Sequence, residues 1–548
     1  MRSLYLVSTL TLSFLAQLAT GTEELAVTTC SNWSTRYQKY LEGVCVCTEA
    51  NCDSVANTYT SLKAGEIGVY RSSKAGDRLK YEVITINKAG ATVDIEFTLN
   101  LAQMYQPVIG FGGAFTDAAA INTYKLTPAL QQKVLDAYFS ETGLEYSTGR
   151  IPISSSDFSE SIYSYNPVVD DFNMTHFSID VDKAPNSNKL ALIQRALKTS
   201  TKPIKMFASS WAPPVWMTQE NSTLNCHVKG TAGGPYWKAL ALYYSKFIDA
   251  YKAEGVDIWG MTVQNEPGKP IIQPSVWQSL RMTGAEERDF IKKDLGPLFK
   301  QNHPDVKIIA GDDQKADIEG RMEPFDDAES RQYISGLGVH WYKNLDFFFF
   351  GLGGDFDKLK TFHDKYPDLF ILATEQCEGY LPSWLGTGAG VKITDPNTIW
   401  ARAENYGRDI IGDLNNFAGG WSDWNLVLDT TGGPNWAKNY VDAPILVDEV
   451  GGKEFYKQPM YYIMGHFSKF LPAGSIRFDF PKAKDKWSDI DRTAFITPEK
   501  RIVLFFFNRR DSDATATVQQ PDKNTFTVSL PAHSIQTIIL PPSASGLA

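Results

Sequence analysis

Two glutamates, Glu266 in "MTVQNEPG" and Glu375 in "ILATEQCEG", stand where strongly apolar runs stop. A carboxylate at such a point is either a solvated loop residue or a group held at the mouth of a pocket. A facing pair has a specific use. Cleaving a glycosidic bond needs one carboxyl to protonate the leaving oxygen while the other attacks the sugar carbon or activates water. A separation of about 5 to 5.5 Å gives direct attack and retention, and about 6.5 to 9.5 Å admits water and gives inversion. Metal hydrolysis is the weaker reading, because the seven histidines are scattered and no HExxH occurs. No metal and no cofactor are expected.

The elements that must position this pair are legible as a rhythm. Apolar strand candidates begin at Pro107, Thr148, Ile204, Val256, Val306, Ile334, Leu369 and Phe417. Helix-like segments such as "TPALQQKVLDAYF" and "YWKALALYYSKFIDAYKAEG" separate them. Eight strand-then-helix steps predict a (β/α)8 barrel with elaborated loops, against the competing doubly wound sheet. Polar and aromatic residues close every apolar run, as expected where loops leave the carboxyl end of a barrel. The segment "GFGGAF" fits neither glycine-rich phosphate loop. Blocks of short strand-like text flank the barrel, "GEIGVYRSS" and "LKYEVITI" before it, "RIVLFFFN" and "SIQTIIL" after it. Their shared character predicts one antiparallel module assembled from both chain ends.

Composition narrows the setting. The 548 residues carry a net charge of -10, which argues against nucleic-acid binding. Residues 1–20 have the basic start, apolar middle and small-residue end of a secretory signal, so a soluble mature protein is expected. Cys30, Cys45, Cys47 and Cys52 crowd together; two local disulfides are favoured over zinc, because Cys-x-Cys suits one metal poorly, and three pairings stay open. Cys226 and Cys377 stand apart as thiols. Asn32, Asn173 and Asn221 open glycosylation sequons. The run "LDFFFFGLGGDF", Leu345 to Phe356, either covers the barrel or forms an apolar rim.

In order along the chain, "CVC", "GFGGAFTDAAA", "GRIPISSSDFS", "TVQNEP", "GVHWY", "FILATEQC", "GWSDWNL", "GGPNW" and "FYKQPMYYIMGHFSKFLPAGS" carry a resemblance to a known family. The chain resembles the acid β-glucosidases, the glucosylceramidases of glycoside hydrolase family 30, over essentially all of its mature length. The resemblance implies a (β/α)8 TIM barrel over 103–426 plus about 458–473, and an immunoglobulin-like β-sandwich over 55–102 plus about 474–548. It also implies a small disulfide-containing antiparallel β domain over 21–54 plus about 427–457.

The same resemblance implies roles. Glu266 is the general acid/base and Glu375 the nucleophile of a retaining double displacement that hydrolyses glucosylceramide to glucose and ceramide at acidic pH. Such a donor must be protonated when the leaving oxygen departs and ionised when water attacks, whereas the nucleophile must be ionised first. Asp157, Trp211, Asn265, Gln314, His340, Tyr342, Trp424 and Asn439 are expected around the sugar, with Arg150, Trp277 and Cys377 in support. A saposin-type activator protein, an anionic membrane lipid surface and the lysosomal lumen are implied, with secretion or a homodimer allowed. Competing readings are a relative acting on steryl glucosides or other β-glycosides, and a non-catalytic glycolipid-binding protein. Retention of both glutamates disfavours the latter. The chain departs from the family pattern in "NEPGKPIIQPSVWQSL", where Ser275 replaces an expected tyrosine beside Trp277, so the aglycone side is expected to differ.

Overall fold

The computed structural model describes residues 30–36, 41–55, 57–86, 95–185, 187–268, 275–344, 355–383, 387–448, 450–484, 490–520 and 523–542. The expected signal segment, residues 345–354 of the phenylalanine-rich run and residues 269–274 of the divergent segment lie outside the described residues.

Each of the eight predicted runs forms a strand: β1 (Gly110–Ala114), β2 (Thr148–Ile153), β3 (Lys205–Ser210), β4 (Ile258–Thr262), β5 (Lys307–Gln314), β6 (Ile334–His340), β7 (Phe370–Gln376) and β8 (Ala418–Asn425). They are all parallel and close into a barrel, with β8 beside β1 and β4 beside β5. Closure excludes the doubly wound alternative. Strands β1, β2 and β8 are buried along their whole length, as parallel strands covered by helices are. Close approach demands glycine at Gly112, where a β-carbon would fall 1.9 Å from the Thr148 carbonyl oxygen.

Helices cover the barrel with apolar stripes. In Pro235–Ala253 the residues Leu240, Tyr244, Phe247, Ile248 and Tyr251 are buried, spaced three and four apart on one face. The helix Pro396–Asn415 starts where the Asp395 side chain accepts from the backbone N–H groups of Asn397 and Thr398, satisfying two otherwise unpaired donors.

Both chain ends contribute to one seven-stranded sheet, which joins Glu66–Ser73, Lys80–Thr85 and Asn100–Pro107 to Ile476–Asp479, Ile490–Ile496, Ile502–Asn508 and Ser534–Leu540. A four-stranded sheet shares its core to complete a sandwich. The text "IVLFFF" shows how this module docks. Ile502, Leu504 and Phe506 point into the sandwich core, while Val503, Phe505 and Phe507 belong to the barrel's apolar cluster. Strand periodicity thus makes one segment serve two cores.

The small sheet orders Cys45–Thr48, Glu454–Lys457, Ile445–Val447 and Val427–Asp429. The disulfides are Cys30–Cys45 and Cys47–Cys52, which use all four clustered sulfurs and leave none for zinc. This sheet is mixed rather than wholly antiparallel, because Val427–Asp429 runs parallel to Ile445–Val447. The intervening chain, 430–444, is long enough to return the strand in the same direction. Cys226 and Cys377 are free and buried. No described helix is long and apolar enough to cross a membrane.

Candidate active site

Strand β4 ends at Thr262, four residues before Glu266, so the glutamate stands in a loop rather than on the strand. The loop is nonetheless tied to the barrel wall. Val263, Asn265 and Glu266 donate backbone N–H bonds to the carbonyls of Ile309, Ser210 and Asp312 at 3.0, 3.0 and 2.9 Å. Glu266 itself has φ 42°, a left-handed conformation that costs a residue with a β-carbon about 1 to 2 kcal/mol. Strain of this kind persists where surrounding contacts over-determine the backbone. The Gly268 N–H donates to Asp313 Oδ2 at 2.7 Å, and Met282 N–H to the Pro267 carbonyl at 3.0 Å.

Across the mouth, Glu375 is the penultimate residue of β7. Its Oε2 accepts from Arg150 Nη1 and its Oε1 from the Tyr342 hydroxyl at 2.9 Å. Glu266 Oε1 accepts from Gln314 Nε2 at 2.7 Å and meets His340 Nδ1 at 3.0 Å. An oxygen of each glutamate and a His340 ring nitrogen all lie within 4.8 Å of one another. Oxygens this close fit the direct-attack arrangement better than one that holds a water between the carboxyls.

Arg150 is fully buried and divides its fork, with Nη2 reaching Asn265 Oδ1 at 2.7 Å and Asp312 Oδ2 at 3.0 Å. Its guanidinium carbon sits 5.1 and 5.5 Å from the ring centres of Trp211 and Trp424, a cation–π arrangement. Those two indoles stack at 4.9 Å and 18°.

The cavity around the glutamates is lined by Asp157, Trp211, Asn265, Trp277, Tyr342, Cys377, Trp424 and Asn439, all foreseen, together with Tyr380 and Val441, which were not. Gln314, His340 and Arg150 are brought to the same place but stand against the glutamates, outside that lining. Asp157 Oδ2 accepts from the amides of Asn435 and Asn439 at 3.1 Å each. Ser275 is buried, its hydroxyl donating to the Trp277 carbonyl at 3.1 Å. Of the sequon residues, Asn173 and Asn221 are exposed and Asn32 is partly buried.

Electrostatics follow from burial and pairing. Burial pushes Asp157 up to about 7, with the Glu375 charge adding to it against its two amide donors. Burial likewise keeps Glu375 above its usual range, against the pull of Arg150 and His340. At Glu266 burial acts upward too, but the hydrogen bond and charge of His340 outweigh it and hold the carboxyl below its ordinary value. Carboxylates this close titrate as a pair. Burial would lower His340, yet Glu375, Asp312 and the bonds to Asp312 and Glu266 raise it to about 10. A doubly protonated imidazole has no lone pair for a metal, so Glu266, His340 and Glu375 are a poor ligand set despite their proximity. Burial drives the Cys377 thiol well above its ordinary value, which leaves it neutral and unsuited to attack.

The model of the glycosyl hydrolase family 30 TIM-barrel domain matches residues 108–471. The chain belongs to glycosyl hydrolase family 30. The family's β-sandwich domain matches residues 474–538. Over 503 residues this family 30 chain is 36% identical to the lysosomal acid glucosylceramidase of Mus musculus, covering 91% of this chain and 94% of that protein. The solved endo-beta1,6-glucanase BT3312 is 26% identical with a TM-score of 0.73, covering 87% of this chain and 99% of its own. SrfJ from Salmonella typhimurium shares the fold at 23% identity and a TM-score of 0.77, with coverage of 87% and 99%.

Proposed function

We propose that this family 30 enzyme is a retaining β-glucosidase that hydrolyses glucosylceramide to glucose and ceramide. The observation that carries the reading is the glutamate pair within 4.8 Å inside a cavity walled by Trp211 and Trp424. The similarity to a lysosomal acid glucosylceramidase over nine-tenths of both chains supports the substrate.

Burial raises Glu375 and His340 lowers Glu266, the reverse of the order this chemistry needs, but the two carboxyls share their proton as a pair, and hydrogen bonding supports one division of labour. Both Glu375 oxygens already accept, from Arg150 and Tyr342, and a carboxylate so bonded is favoured as the anion. Among the described residues, Glu266 Oε2 has no protein donor, which leaves it for the proton. Glu375 then attacks the anomeric carbon while Glu266 protonates the ceramide oxygen, forming a glucosyl ester and releasing ceramide. Once Glu375 is esterified its negative charge is gone, Glu266 gives up protons more readily, and it acts as base toward the incoming water. Water breaks the ester and glucose leaves with its configuration retained. Asp157 and Asn439 would bind glucose hydroxyls, with Asn265 near the sugar 2-hydroxyl, where hydrogen bonds strengthen as positive charge develops. His340 and Gln314 would orient Glu266.

The pair must hold one proton to react, so activity should fall as pH rises, which suits an acidic compartment such as the lysosomal lumen. Val169, Val215, Val276 and Tyr440 are exposed in segments that follow β2, β3, β4 and β8, the same barrel end as the glutamates. Such a rim suits peripheral contact with an anionic lipid surface, aided by a saposin-type activator.

The test is turnover of glucosylceramide in anionic vesicles, and of a soluble aryl β-glucoside, at acidic pH. Glu375→Gln should abolish both, and Glu266→Gln should spare only activated leaving groups. Undiminished turnover by Glu375→Gln would sink the nucleophile assignment. Turnover of other β-glycosides alone would favour a different substrate, and lipid binding without any turnover the non-catalytic reading.

A further inference from the structure

One buried carboxylate touches the machinery of both glutamates. Asp312 is fully buried and lies in an irregularity of β5, where pairing with β6 passes from Gly311 to Asp313. Gly311 and Asp312 have φ 86° and 49°, so the strand makes room for an extra residue, a device that re-aims a side chain. Here it turns Asp312 into the barrel. Oδ1 accepts from Thr374 Oγ1 at 2.6 Å and meets His340 Nε2 at 3.1 Å. Oδ2 accepts from Ser209 Oγ at 2.8 Å and Arg150 Nη2 at 3.0 Å. Even its backbone participates, since the Asp312 carbonyl receives the Glu266 N–H at 2.9 Å.

We propose that Asp312 is the positioning residue that couples the two glutamates, orienting His340 against Glu266 and Arg150 against Glu375. It accepts the hydrogen bond of His340 Nε2–H, which aims Nδ1–H at Glu266. It occupies one arm of the Arg150 fork, which leaves Nη1 for Glu375. The charges also close around it. Two cations, Arg150 and His340, face three carboxylates, Asp312, Glu266 and Glu375, so neutrality requires one proton shared by the glutamates.

The neighbouring charged groups have partners of their own. Asp313, beneath the Glu266 loop, is 3.9 Å from Arg321, which also bonds Glu287 at 2.6 Å. Arg281 donates to the backbone carbonyls of Glu266, at 3.3 Å, and Gly268, and so serves the loop backbone. Tyr342 and Asp157 face Glu375 from the cavity side, the first as a donor and the second with its own amide partners.

The proposal rests on the acid/base reading of Glu266, and the experiment separates the two. In Asp312→Asn the cluster loses a negative charge and therefore proton affinity, so the alkaline limb of kcat/KM should move down by about one pH unit or more. Turnover of an alkyl β-glucoside should fall about 10² to 10³-fold, and that of a dinitrophenyl β-glucoside, which needs no acid, at most about tenfold. Adding Asp312→Asn to His340→Gln should change that leaving-group ratio little, because the effect passes through His340. A folded Asp312→Asn enzyme with an unmoved limb, or with equal losses for both substrates, would overturn the proposal. Glu266→Gln lacking any leaving-group dependence would overturn the acid/base reading instead. A second measurement needs no Asp312 variant. In the wild-type enzyme with ¹⁵N-labelled histidine, assigned through His340→Gln, His340 should keep both ring protons at pH 8; loss of one near the ordinary histidine range would also overturn the proposal.

Discussion

Replacing Arg150 by methionine strands two buried carboxylates at once. Arg150 lies 3.0 Å from Asp312 Oδ2, with both side chains fully buried, and also bonds Glu375. At that distance and an effective dielectric of about 20, one ion pair is worth about 5 kcal/mol before desolvation is subtracted. Breaking a buried pair by removing one partner costs about 3 to 5 kcal/mol net. Two stranded groups do not double this, because a buried carboxylate without a partner takes up a proton instead. For a domain of this size the loss corresponds to a fall of about 6 to 10 °C in unfolding temperature at neutral pH. Its pH dependence has a definite sign. Against burial, Arg150 and His340 hold the Asp312 carboxyl far below its usual range. A depressed carboxyl stabilises above the unfolded value, about pH 3.9, and that contribution disappears as pH falls. In Arg150→Met the stranded carboxyls protonate at higher pH, so the gap from wild type should be widest near pH 7 and shrink toward pH 4. Thermal unfolding followed by circular dichroism at both pH values checks this, with Arg150→Lys, which keeps the charge but not the fork, losing less stability. An unchanged midpoint at pH 7, or a gap that grows toward acid, would refute the account of Arg150 as the buried counter-ion.

Three further outcomes are expected. Tyr342→Phe removes a donor from Glu375, which should raise the nucleophile's pKa and move the acidic limb of the kcat/KM profile upward, with a loss of about tenfold; an unmoved limb would mean that the hydroxyl does not sense the charge on Glu375. Asp157→Asn should lower kcat/KM by about 10 to 100-fold with the thermal midpoint nearly unchanged, as measured on a soluble β-glucoside, because a hydrogen bond to sugar is weakened while the Asn435 and Asn439 scaffold remains. His533 bridges Glu404 of the barrel helix at 2.7 Å and Asp511 of the sandwich at 2.8 Å. Burial lowers His533, but those two partners raise it above its ordinary value, so its stabilisation is full below about pH 6.5 and is lost as pH rises through the raised value. His533→Gln should therefore lower the unfolding temperature at pH 5 and not at pH 9, and only slightly, because Asp511 is fully exposed.

Much of the barrel was legible because its signal is repeated. All eight apolar runs became strands, and the polar residues that end them gathered at one face. Glu375 was readable from position alone. Glu266 required more, since β4 stops at Thr262 and backbone bonds to neighbouring strands, not strand continuity, carry it to the mouth. Asp312 escaped notice because its importance depends on a one-residue irregularity that turns it inward. In the text "AGDDQ" it is indistinguishable from Asp313, whose carboxyl instead secures the Gly268 backbone. A glycine beside paired aspartates at a strand end is the signal that was available. Tyr380 and Val441 were missed for another reason: they lie beyond the ends of β7 and β8, where no periodicity reaches. The parallel placement of Val427–Asp429 beside Ile445–Val447 was equally hidden, because three-residue strands leave no directional trace in the sequence.

The central claim is that Glu375 forms a covalent bond with glucose. The most direct measurement incubates the enzyme with a 2-deoxy-2-fluoro-β-glucoside bearing an activated leaving group, then maps the adduct by peptide mass spectrometry. The account predicts one fluoroglucosyl group per chain, esterified to Glu375, with activity lost in proportion to labelling. A labelled residue other than Glu375, or turnover of the reagent with inverted product and no adduct, would contradict it.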